Sequence, residues 1–479
     1  MQRVSLYTKT AFGVGQIAEG VKSGAFNYLL LFYYNQVLGL PGTMAGLALF
    51  AATFFDAVTD PLAGSLSDRL QHRWGRRHPF MYASAIPLGL FFAMLFSPPD
   101  DLSERGLFLW LLVMAVAVRA SMTLYHVPHA ALGAELSTDY TERTTIVAFR
   151  TAFGLGGIML TVGMAWLYFF PRAANPEQGQ LDPSVYPPFG LFFGLIMAVS
   201  VLLSAWGTHD RIPHLPQPAP DEPRLDVRTL FRDYAGALSN DSFRPFFFGI
   251  VVFYVMRGIQ ETLSVHMSTF FWALDSNSIA AVAFSSFPGF VVGVPFWTLA
   301  ARRIDKRPAF LAGIALFSLM VLGPPIAKIV GFYPVASSPF YIGILMLASG
   351  LAAFAASAGI VMAGSMMADV ADEHELHTHR RQEGIFFGAL AFAGKSTSGL
   401  GTFIGGLALD LIHFPTQADP STIPIEKIDA LGFFYGPGIM LFAVVAMLLL
   451  SRYRIDRRRH AEIARALNAR RSTRAEEAS

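Results

Sequence analysis

Apolar runs long enough to cross a bilayer recur along the whole chain, separated by short polar turns. A helix needs about 20 apolar residues to span the hydrocarbon layer. The pattern predicts twelve such spans, at 11–38, 43–66, 79–96, 107–132, 145–170, 188–206, 246–274, 279–299, 309–330, 340–367, 384–412 and 432–450. The first continues without a small-residue cleavage site, so it reads as a retained helix and not a signal peptide. The second differs from the others. It carries Asp56 and Asp60 four residues apart, on one helix face, and runs into a turn crowded with Asp68, Arg69, Arg73, Arg76 and Arg77. Acids inside a span are costly and usually face a protein interior or a water-filled path. The pair is therefore a candidate cation site, or else a buried salt bridge to Lys22, Arg119 or Lys395.

The turns orient the chain. With the N-terminus inside, the inner turns hold Arg69, Arg73, Arg76, Arg77, Arg143, Arg302, Arg303, Lys306, Arg307, Arg380 and Arg381. The outer turns hold only Arg105, Arg172 and Lys427, among more numerous acids. Both termini are thus expected on the cytoplasmic side of an inner (plasma) membrane. The fold class expected is an all-α membrane protein of two pseudo-symmetric six-helix bundles, 1–206 and 246–451. A Pro-rich cytoplasmic linker, 207–245, joins them and includes a short polar helix near 227–238. The basic tail, 452–479, is expected as an amphipathic helix against the inner leaflet. The bundles share a weak repeat: Pro61 to Arg69 aligns with Pro295 to Arg303, each followed by a basic turn and a proline, Pro79 or Pro308. Phe290 and Val294 stand where the two acids would recur, so the candidate cation site belongs to the first bundle alone.

Composition agrees with a membrane class. The chain has 479 residues, 53% hydrophobic and 15% charged, with mean hydropathy +0.45. A net charge of +2 suggests no nucleic-acid partner, and the lack of cysteine excludes disulfides, thiolate metal sites and thiol catalysis. Gly399, Gly401 and Gly405 read as close helix packing. Gly388 to Thr397 resembles a phosphate loop, but its first glycine is one residue too far away and the run lies inside a span. His374, His377 and His379 lack metal-ligand spacing, and no G-x-S-x-G elbow occurs. No enzyme activity, cofactor or metal is expected, other than Na⁺ at Asp56 and Asp60.

The remaining polar residues within spans converge in depth. At 1.5 Å per residue, Glu19, Lys22, Asp56, Asp60, Arg119, His126, Arg150, Arg257, Glu261 and Lys395 lie roughly 8–22 Å from the inner ends of their spans. Charges in one central slab are what an alternately accessible site requires. Arg119, Thr123 and His126 share one face of the fourth span, and His126 can gain a proton near physiological pH. Arg257 and Glu261, one turn apart, form either an internal ion pair or part of that site.

DAVTDPLAGSLSDRLQHRWGRRHPF, from Asp56 to Phe80, resembles the signature of the glycoside–pentoside–hexuronide:cation symporters, the melibiose permease branch of the major facilitator superfamily. Phe32 to Leu40, Thr123 to Pro128, Arg150, and Ala368 to Glu375 through Lys395 extend the resemblance over nearly the whole chain. It implies the major facilitator fold and symport of a sugar or glycoside with H⁺ or Na⁺ by alternating access. Asp56, Asp60 and Thr123, with His126, would bind the coupling cation. Glu19, Lys22, Asn27, Arg119, Tyr125, Arg150, Arg257, Glu261 and Lys395 would line the substrate site. Gly64, Asp68, Arg69, Arg76 and Arg77 would form the cytoplasmic gate. Melibiose permease has acids where this chain has His126 and Gly20, and a sugar-stacking tryptophan where it has Ala130. The histidine favours H⁺ over Na⁺, the missing aromatic platform counts against a galactoside, and the likeness of the vertebrate lysolipid symporters to this family admits an amphipathic lipid as substrate. Partners beyond a small-molecule substrate and membrane lipids are not expected, and a monomer is. A non-transporting sensor of the same fold is the remaining alternative.

Overall fold

The computed structural model describes residues 4–215, 236–378 and 383–478. Most of the polar helix expected near 227–238, along with His379, Arg380 and Arg381, lies outside the described residues. Among the described residues the regular structure is all helix, with no strand. We number the helices α1 (6–37), α2 (Gly42–Arg69), α3 (His78–Leu95), α4 (Glu104–Glu135), α5 (Tyr140–Met164) and α6 (Tyr186–Gly207). They continue as α7 (Phe243–Phe271), α8 (Ser276–Ile304), α9 (Lys306–Ile329), α10 (Phe340–Thr378), α11 (Glu383–Leu411), α12 (Ile425–Leu450) and α13 (Arg457–Ala478). Among the described residues, 10 helices are long and apolar enough to cross a membrane. The other two expected spans correspond to α1, whose turns widen to π-helix at Ala25–Leu29 and Tyr33–Val37, and to α11.

Local chemistry sets several helix starts. The Ser103 hydroxyl accepts the Gly106 N–H at 3.2 Å to begin α4, and the Asp139 carboxylate accepts the Glu142 N–H at 2.8 Å to begin α5. Each satisfies a donor that has no partner within the helix. Pro61, Pro87, Pro128, Pro288 and Pro295 sit inside spans, where neighbouring helices can re-satisfy freed backbone groups.

The helices group into two compact units. One comprises Met1–Arg224, Glu261–Ala280 and Ser398–Ile428; the other comprises Leu225–Gln260, Ala281–Thr397 and Asp429–Ser479. One cut falls inside the 207–245 linker read from the sequence, and the others fall within α7, α8, α11 and α12. In the first unit α1 packs on α5, α2 on α4 and α3 on α6. A Cβ at Gly20 would collide with the Gly154 carbonyl oxygen, so α1 and α5 touch backbone to backbone. A side chain at position 20 would require α1 and α5 to move apart.

In the second unit α9 packs on α10 and α12, and α13 packs on α10. The α13 helix buries Ile463 and Leu467, and Arg470 donates to the Leu376 carbonyl at 2.7 Å.

The repeat extends beyond the motif that revealed it. Gly42 and Ser276 begin α2 and α8 at the same 234-residue spacing that separates Asn27 from Glu261. The π-turns Tyr33–Val37 and Met267–Phe271 keep that spacing too.

Candidate functional site

Within the first unit, α2 presents Asp56 and Asp60 to α4. Asp56 is 3% exposed, and Arg119 donates to its Oδ2 at 2.6 Å. The same guanidinium lies over the Phe26 ring at 5.0 Å, so the cation is held between a carboxylate and an aromatic face. Thr123, one turn along α4, donates to Asp60 Oδ1 at 2.8 Å and lies 3.5 Å from Asp56 Oδ1. One hydroxyl thus bridges both acids, as the i, i+4 spacing on each helix allows. Asp60 is half-buried, whereas Asp56 is enclosed. The two acids are therefore unequal: one is fixed in a buried ion pair and the other is reachable by water.

The other expected site residues divide into groups. Lys22 is buried and bonds Glu19 at 2.8 Å along α1, and Ser23 donates to the same carboxylate oxygen at 3.3 Å. Asn27 donates to Glu261 Oε2 at 3.1 Å, which joins α1 to α7 inside the first unit. His126 and Arg150 are half-buried. Among the described residues, no carboxylate makes an ion pair with Arg150. Tyr125 is fully buried, stacked on His129 at 4.9 Å and pressed against Gly15 and Ser204. In the second unit, Arg257 lies over Phe317 at 5.1 Å, and Lys395 is half-buried on α11.

The expected gate residues meet at the basic end of the first unit, and they do so through a residue the sequence did not single out. Glu135, the last residue of α4, receives Arg76 at 2.8 Å and Arg77 at 2.7 Å. Arg77 also reaches Asp68 at 2.6 Å and the Ser67 hydroxyl at 2.7 Å. This network ties the ends of α2, α3 and α4. Gly64 leaves room beside Val127, and Arg69 points to solvent. The turn after Glu135, Leu136 to Tyr140, holds no basic residue, so the sequence offered no local signal for this role.

The far end of the same unit is sealed by contacts that sequence reasoning missed. Pro41 gives α2 no side-chain cap, and Asp410 of α11 supplies one by accepting the Gly42 N–H at 2.9 Å and the Thr43 N–H at 2.7 Å. Backbones meet there, since a Cβ at Gly42 would collide with the Gly406 carbonyl oxygen. Thr262 and Thr402 share a hydrogen bond of 3.0 Å, His266 meets Asn35 at 3.3 Å, and Gln36 donates to the Pro415 carbonyl at 3.2 Å. These bonds hold the far portions of α7 and α11 against α1 and α2.

Known proteins resemble this arrangement along its whole length. Residues 11–457 match the family described as MFS/sugar transport protein. A symporter of Synechocystis sp. (strain ATCC 27184 / PCC 6803 / Kazusa) is 26% identical over 98% of both chains. The sodium-dependent lysophosphatidylcholine symporter 1 of Gallus gallus is 25% identical over 97% of this chain and 90% of its own. Among solved structures, a point mutant of the nucleoside transporter NupG superposes with a TM-score of 0.60 at 13% identity, covering 93% of this chain and 98% of that one. That likeness establishes the shared fold.

Proposed function

This chain belongs to the MFS/sugar transport protein family and is a multi-pass membrane transporter, not an enzyme, and from that premise we propose that it performs cation-coupled symport of an organic solute. The observation that carries the reading is the inequality of Asp56 and Asp60. A buried acid held by Arg119 is fixed in position, while a half-buried acid on the same hydroxyl can exchange with water. Loading a cation at Asp60 neutralises it and changes what Thr123 must donate to, which alters the α2–α4 contact. Family relatives include sodium-dependent and other symporters, which supports coupling without fixing the ion.

The ion we assign is H⁺. The Arg119 guanidinium, 2.6 Å from Asp56, places positive charge where a second metal-ligating carboxylate would have to act. His126, seven residues from Arg119 on the same face, adds a proton acceptor. Arg150, with Lys22 and Glu19 on the facing helix, would hold oxygens of the solute. The network at Glu135 would brace the cytoplasmic ends of α2, α3 and α4, and release of the Asp410 seam would open the outer end.

A sugar or glycoside is the leading substrate class, given the family. An amphipathic lipid is the second, because Ala130 offers no aromatic platform and a lysophospholipid symporter is similar over 97% of this chain. The test is uptake into proteoliposomes of a panel of glycosides, hexuronides and lysophospholipids, under an imposed pH gradient or an imposed Na⁺ gradient. Accumulation driven by the pH gradient alone is expected. Accumulation that needs Na⁺ overturns the ion assignment, and no gradient-driven accumulation of any solute overturns symport.

A further inference from the structure

The strongest unassigned site lies at the basic end of the second unit, apart from the residues of the candidate functional site. A groove of about 730 Å³ opens between the start of α7 and the end of α12. Arg244, Arg307, Arg452 and Arg454 line it, with Asp241 as the one acid among its lining residues. The acid holds its neighbours loosely, with Arg244 at 3.5 Å and Arg454 at 3.8 Å, both well exposed. Arg307 is fixed by donating to the Ser451 and Tyr453 carbonyls at 3.3 and 3.0 Å. Four guanidinium groups against one carboxylate leave a strong surplus of positive charge around a concave surface.

One wall of the groove is apolar. Phe248 and Leu449 line it, and Phe248 is 43% exposed. Leu441, Val444, Val445 and Leu448 of α12 are also exposed, at spacings that place them along one helix face leading to the groove. A soluble anion would use the arginines and leave this track unused. A positive-inside bias alone would scatter the arginines over the loops and would not converge them beside an apolar wall.

We propose that this groove binds an anionic glycerophospholipid of the surrounding membrane, its phosphate on the arginines and one acyl chain along α12. Arginine matches phosphate in bidentate geometry, and a basic pocket between helix ends beside hydrocarbon is the setting such headgroups take. The site is independent of which solute is carried.

The test uses the full chain, purified and reconstituted in nanodiscs of phosphatidylcholine with graded phosphatidylglycerol, compared with the triple variant R244Q/R452Q/R454Q. Native mass spectrometry after release counts retained lipids. The wild type is expected to retain phosphatidylglycerol in at least tenfold preference over phosphatidylcholine, and the triple variant is expected to lose that preference. Equal retention by both proteins overturns the proposal. So does full displacement of phosphatidylglycerol by millimolar inorganic phosphate, which would identify a site for a free anion. A folding control is the circular dichroism of the variant, and single substitutions R244Q and R454Q, each giving partial loss, replace the triple variant if it misfolds.

Discussion

Removing the Asp56 carboxylate and removing the Asp60 carboxylate should have different consequences, although the two acids are one turn apart and share a hydroxyl. Asp56→Asn leaves the Arg119 cation buried against Phe26 with its 2.6 Å partner gone. Breaking one side of a buried pair costs about 3–5 kcal/mol. The Coulomb attraction itself is about 4 kcal/mol at 4 Å in an effective dielectric of about 20, so the two figures agree. Replacing both partners, as in Asp56→Asn/Arg119→Gln, removes two charges together and should recover most of the loss. A double-mutant cycle on thermal or denaturant unfolding in detergent should therefore give a coupling energy of about 2–4 kcal/mol. Transport should sort differently. Asp60→Asn should leave stability nearly unchanged and abolish gradient-driven uptake, because the exchangeable acid is lost. The double variant, which keeps Asp60 and Thr123, should retain gradient-driven uptake at reduced rate. Uptake by Asp60→Asn at the wild-type rate, or a coupling energy near zero between Asp56 and Arg119, would refute the division of labour between the acids.

Other outcomes follow from the same geometry. Glu135→Gln removes the charge shared by Arg76 and Arg77, and should destabilise the protein by about 3 kcal/mol or more. It should also raise maleimide labelling of a cysteine introduced at the end of α4; unchanged labelling would mean the network does not hold that end closed. Asp410→Ala removes the cap on α2 at about 1–2 kcal/mol. It should speed labelling of a Val37→Cys reporter by a maleimide in detergent, and the natural lack of cysteine makes that reporter clean. Gly20→Asp drives a Cβ into the Gly154 carbonyl oxygen, so folded yield should fall sharply. A well-folded Gly20→Asp protein would show that α1 and α5 can separate there.

Hydropathy alone determined the class and most of the span positions of this protein, because a lipid solvent admits few backbone solutions and each leaves a run of about 20 apolar residues. The repeat spacing was also legible, since Pro61 and Pro295 mark the same register that later appeared at Gly42 and Ser276 and in the π-turns. Helical period placed Asp56 and Asp60 on one face, and Arg119 with Thr123 on another, but could not say which of three candidate cations would pair. That choice depends on how α2 crosses α4, a matter of side-chain packing between segments more than 60 residues apart. For the same reason Glu135 and Asp410 went unnoticed: each is a single acid at a helix end, and its role exists only once another helix presents guanidinium groups or bare N–H donors to it. The tail helix shows the limit most plainly. Its sequence offers an amphipathic helix, and only the fold shows that Ile463 and Leu467 are buried and that the helix packs on α10.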